Sequence, residues 1–88
     1  IFMNINELII IVKNKLENNI VIQELKIEDK SFLHINHKSH EKGKFHLKIN
    51  IRAKELDKYS KISATKKIYA ILKVELEKYI HSIQISFI

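Results

Sequence analysis

Apolar and polar positions along this chain follow two rhythms, one helical and one of period two. Ile5, Leu8, Ile9, Val12 and Leu16 recur at helical spacing, with Glu7, Lys13, Asn14, Lys15 and Glu17 largely opposite. Asn4, with Glu7 three residues on, has the spacing of a capping box, and Asn18-Asn19 is a plausible stop. These signals predict a first helix over residues 5–18, roughly 20 Å long. Residues 20–28 are β-branched, with Val21, Leu25 and Ile27 on one parity, and predict a first strand. Phe45, Leu47, Ile49 and Ile51 then alternate with His46, Lys48, Asn50 and Arg52, which predicts a half-buried second strand. Residues 53–62 are polar, with Leu56, Tyr59 and Ile62 as anchors. Ser63 is the expected cap of a second helix whose stripe is Ile68, Leu72, Leu76 and Tyr79. In the last stretch His81, Ile83, Ile85 and Phe87 are expected to share the buried face, with Ser82, Gln84 and Ser86 on the other.

The order helix, strand, strand, helix, strand predicts an α+β fold. A strand–helix–strand crossover makes its two strands parallel, so the three-stranded sheet is expected to be mixed, with both helices on one face. The row containing His46, Lys48 and Arg52 is then expected on the open face. Residues 29–44 have no period and predict a long loop between the first two strands, of the kind that is usually functional or disordered. At 88 residues the chain is expected to be a single domain spanning 1–88 and a monomer by itself.

Composition narrows the chemistry. The absence of cysteine excludes a disulfide framework, a thiol nucleophile and a thiolate metal site made by this chain alone. No apolar run is long enough to span a membrane, and the first residues lack the pattern of a signal peptide, so a cytoplasmic location is expected, with Met3 as the natural start. The net charge of +6 comes from fifteen lysines and a single arginine, beside eighteen isoleucines. An AT-rich genome writes the same residues at neutral positions, which discounts the charge as a functional signal. Arginine, suited to bidentate phosphate and base contacts, is nearly missing.

Four of the five histidines lie between residues 34 and 46. Without thiolates or a suitably placed carboxylate they are weak as a zinc site, and His37 and His40 fit a solvated polar loop. His81, at the head of the last strand, fits either a strand-end histidine bonded to nearby backbone or a ligand held on a rigid edge. No glycine-rich phosphate loop, nucleophile elbow or facing acid pair is present, so no catalytic residue is assigned and the chain is expected not to be an enzyme. Lys58, Lys61, Lys66 and Lys67 flank the second helix, as a wet face or as phosphate contacts.

Three segments carry a resemblance: IEDKSFLHINH, then GKFHLKI, and finally VELEKYIHSIQI. In order and spacing they resemble the BolA family. Asp29, Ser31 and His34 match its first hairpin strand and loop. Gly43, His46, Leu47 and Ile49 match the entry to its second strand, and Glu75, Leu76, Ile80, His81 and Ile83 its last motif. The resemblance covers about residues 7–87. It implies an αββαβ fold similar to a type II KH domain, in agreement with the order above. Two departures stand out. The family's basic run at the start of the second helix is Ala64-Thr65-Lys66 here, and its C-terminal helix has no counterpart up to Ile88.

The resemblance implies an iron–sulfur adaptor that shares a [2Fe–2S] cluster with a monothiol glutaredoxin and its glutathione. By position the implied ligands are His81 and His34, with His37 a rival for the loop position and His46 supporting rather than ligating. Such clusters need about four ligands, so a chain without cysteine can add only imidazoles to iron held by another protein's thiolates. Imidazole binds metal only when unprotonated, so sharing should weaken below about pH 6. The alternative is a KH-like transcriptional regulator that binds DNA through Lys58, Lys61, Lys66 and Lys67. KH domains that bind nucleic acid normally use a Gly-x-x-Gly loop, which a single glycine cannot supply.

Overall fold

The computed structural model of the chain describes residues 3–31 and 44–88. Helix α1 spans Ile5–Asn19 and buries Leu8, Val12 and Leu16, three of the positions its period selects. Asn4 caps it, its side-chain oxygen accepting from the Asn6 amide at 2.7 Å. Strand β1 (Glu24–Asp29) runs antiparallel to β2 (Phe45–Arg52), and β2 runs parallel to β3 (Ile80–Phe87), so the sheet order is β1-β2-β3. Leu47, Ile49 and Ile51 of β2 are buried in one core with Leu8, Val12 and Leu16 of α1 and with Ile68 and Leu72 of the crossover. The mixed sheet with helices on one face is the expected architecture. Among the described residues, no helix is long and apolar enough to cross a membrane.

The crossover departs from expectation in two places. Its cap is Ser60, not Ser63: the Ser60 hydroxyl accepts from the Ser63 amide at 3.1 Å, and α2 covers Lys61–Ile71. Ile62 therefore lies inside the helix and is 70% exposed rather than an anchor, whereas Leu56, in a 3-10 turn over Lys54–Leu56, is buried. The helix also breaks at Leu72 (φ −99°, ψ 18°), and α3 follows over Lys73–Lys78. Hydrogen bonds from the Leu72 amide to the Ile68 carbonyl and from the Leu76 amide to the Leu72 carbonyl bridge the break. The apolar stripe thus stays in phase, with Ile68 and Leu72 fully buried and Leu76 and Tyr79 packed at the rim of the core.

Glu75 of α3 is 4% exposed, and Lys15 of α1 reaches it at 2.9 Å (Oε1) and 2.7 Å (Oε2). This ion pair ties α1 to α3. Lys15 is partly in water, which screens the pair, but removing it leaves a carboxylate buried without its charge partner. Lys15→Met is therefore expected to lower stability by about 1–3 kcal/mol, and Lys15→Met with Glu75→Leu to recover most of it. Urea unfolding of the four proteins of this double-mutant cycle measures both.

Candidate functional site

The site begins with an irregularity in β3. Phe45 of β2 pairs with Ile80, but the next residue, His46, pairs with Ser82. His81 is the extra residue of a β-bulge, opposed by no residue of β2. The insertion resets the alternation. Ile80 and Ile83 both enter the core, at 1% and 8% exposure, and His81 is exposed. The expectation that His81 shares the face of Ile83, Ile85 and Phe87 is corrected: Ile80 takes the inward position, because one unpaired residue shifts the two-residue period by one step.

The bulge sets His81 against His46, with ring centroids 4.9 Å apart and planes tilted by 59°. His46 lies in the row with Lys48, Asn50 and Arg52, yet it is buried, at 5% exposure, where an open position was expected. It is held from several sides. Its Nδ1 lies 2.7 Å from the Ser82 hydroxyl. Its amide donates to the Ser31 hydroxyl at 3.1 Å, and its carbonyl accepts from the Lys30 amide at 2.7 Å. Ser31 is itself placed by a bond from its amide to the Asp29 carboxylate. Three chain segments thus meet here: the end of β1, the start of β2 and the bulged start of β3.

Of the expected metal ligands, His81 stands in this cluster, while His34 and His37 lie outside the described residues. So does His40. Among the described residues no three His, Cys, Asp or Glu side chains are grouped to hold a metal ion. Ser82 was not singled out from the sequence. Its signal was available only through register: once His81 is skipped, the residue facing His46 is Ser82.

Further along the same face Glu28 accepts from the Asn50 amide at 2.8 Å and lies 3.4 Å from the Lys30 ammonium. The Asn50 bond, and after it Lys30 and Lys26, hold the Glu28 carboxyl below its ordinary value of 4.5, against an opposing effect of burial. A depressed carboxylate stabilises the folded state above its unfolded pKa, and that contribution disappears as pH falls through the lowered folded value. Asn50→Ala is expected to return Glu28 toward 4.5 and to remove this part of the stability, as a side-chain NMR titration would read.

The lysines of the alternative reading are elsewhere. Lys58 precedes α2, and Lys61, Lys66 and Lys67 lie within it. The ammonium groups of Lys58 and Lys67 sit 5.4 and 5.6 Å from the centre of the Tyr59 ring.

Comparison with known proteins agrees with this fold. A family profile described as BolA-like protein matches residues 16–88. The structure is similar to that of the BolA domain of SufE1 from Arabidopsis thaliana, at 27% identity and a TM-score of 0.77, over 88% of this chain and 85% of that one. It is similar to BolA1 from Arabidopsis thaliana at 26% identity and a TM-score of 0.72, over 84% and 82%. A bol-like protein from Babesia bovis shares the fold at 15% identity and a TM-score of 0.70, over 89% and 79%. Among curated proteins none matches. With its order of elements, its mixed sheet and a profile match over most of its length, the chain belongs to the BolA family.

Proposed function

We propose that this protein is a non-enzymatic adaptor that shares a [2Fe–2S] cluster with a monothiol glutaredoxin carrying glutathione. The observation that carries this reading is the His81 imidazole, exposed on the bulge and set against the buried His46 ring. The donor chemistry fits a contributor rather than a sole holder. The chain has no thiolate, and no cluster of three ligating side chains exists among the described residues. A glutaredoxin and its glutathione supply sulfur, and this chain supplies His81 with His34, or His37 in its place, as the second imidazole. The cluster, when shared, brings one-electron and iron-transfer chemistry, at a potential that imidazole ligation raises relative to all-thiolate ligation.

The chain's own residues position the donor. Ile80 and Ile83, buried on either side of the bulge, anchor the backbone that carries His81. The Ser82 hydroxyl fixes the His46 ring, and that ring limits how far His81 can rotate. His46 is thus a positioning residue.

The test is to combine the protein anaerobically with a cluster-loaded monothiol glutaredoxin and glutathione. The expected result is co-elution on size exclusion, with a visible circular dichroism spectrum unlike that of the loaded glutaredoxin alone. Separate elution with an unchanged spectrum would falsify the reading.

A further inference from the structure

A short run of hydrogen bonds couples the end of β1 to the imidazole pair. Asp29, the last paired residue of β1, opposes Leu47, so Lys30 comes opposite His46. The Lys30 amide donates to the His46 carbonyl at 2.7 Å, as an antiparallel pair requires. The His46 amide donates to the Ser31 hydroxyl at 3.1 Å. The Asp29 carboxylate brings that hydroxyl into place by accepting from the Ser31 amide at 2.9 Å. This is the local bonding by which a short acidic side chain turns the backbone two residues on.

Residues 29–31 therefore set where the His46 backbone lies, and the His46 ring reads that position closely. Its Nδ1 is 2.7 Å from the Ser82 hydroxyl, and such bonds hold over about 2.7–3.2 Å. A backbone shift of about 0.5 Å at His46 is enough to lose it. The His81 ring lies 4.9 Å from the His46 ring, near the close limit of about 4.5 Å for packed aromatic rings, and would follow any displacement. An acid at position 29 can act through its charge or as an acceptor. Its bond is to an amide, so the geometry uses the acceptor, and an asparagine oxygen can serve equally.

We infer that Asp29 and Ser31 are positioning residues for the imidazole pair. The carboxylate places the hydroxyl, the hydroxyl fixes the His46 backbone, and the His46 ring with Ser82 then sets the orientation in which His81 is presented. What this positioning serves rests on the proposed cluster sharing. Whether it exists is read from this chain alone.

The experiment compares Ser31→Ala and Asp29→Ala with the conservative Ser31→Thr and Asp29→Asn. Two-bond proton–nitrogen NMR of the imidazoles, recorded on the unmixed protein, reports the surroundings of His46 and His81. The alanine variants are expected to shift the resonances of both rings, and the Thr and Asn variants to leave them at their wild-type positions. With a cluster-loaded monothiol glutaredoxin and glutathione, the alanine variants are expected to share the cluster about fivefold more weakly, the effect of one lost hydrogen bond, and the conservative variants as well as wild type. Far-ultraviolet circular dichroism and urea unfolding check that all four fold. Imidazole resonances unmoved in both alanine variants, with only stability lowered, would overturn the inference and leave Asp29 and Ser31 as turn formers. So would Asp29→Asn behaving as Asp29→Ala, which would assign the effect to charge, and so would displaced rings with undiminished sharing. Failure of the wild-type protein to share the cluster would instead remove the proposed function, and the imidazole spectra would still decide the positioning.

Discussion

His81→Ala is expected to abolish the visible circular dichroism signature of the mixed complex with glutaredoxin while leaving the fold intact. The side chain is exposed and its neighbours Ile80 and Ile83 carry the packing, so little stability depends on it. On the proposed reading its loss deletes a donor that no cysteine of this chain can replace. His81→Cys separates donor loss from general disturbance: a thiolate at the same place should restore cluster sharing with an altered spectrum and a lower potential. Of His34→Ala and His37→Ala, one should reproduce the His81→Ala result and thereby identify the second ligand. Ser82→Ala should have a smaller effect. It removes the partner 2.7 Å from His46 Nδ1, worth about 1 kcal/mol, so roughly fivefold weaker sharing is expected. An unchanged spectrum in His81→Ala would rule out this residue as a ligand.

Leu72→Ala is expected to be the most damaging single change to stability. Leu72 is fully buried and sits where α2 gives way to α3, at the junction that keeps the apolar stripe in phase. Truncating a fully buried leucine costs about 3–5 kcal/mol in lost transfer energy and cavity formation. A domain of this size has roughly 5–10 kcal/mol in total, so about half of its stability would go. The cavity would also loosen α3, which carries Glu75 and leads directly into the bulge. Thermal unfolding followed at 222 nm should show a midpoint lower by about 15 °C or more. A fall of only a few degrees would mean that neighbouring side chains collapse into the space.

Much of this was legible in the sequence because the signals are local. The stripe of α1, the alternation of β2 and the crossover order each depend on residues a few positions apart, and they sufficed for the mixed three-stranded sheet. Leu47, Ile49 and Ile51 are buried as their period requires. The helix start was displaced from Ser63 to Ser60 because both serines fit a cap, and the choice depends on where the chain leaves the 3-10 turn.

The candidate site was legible only in its residues, not in their arrangement. His81 is conspicuous by type and position, but its side of the sheet depends on register with β2, which no local period encodes. The skipped pairing moved Ile80 inward, exposed His81 and brought Ser82 opposite His46. The burial of His46 and the contact of Lys15 with Glu75, sixty residues apart, likewise exist only once distant segments pack. The amino-acid order determined which elements form and which faces are apolar, since those follow from spacing along one segment. Tertiary structure alone decided which imidazole is presented and which is locked, since that follows from how neighbouring strands are offset.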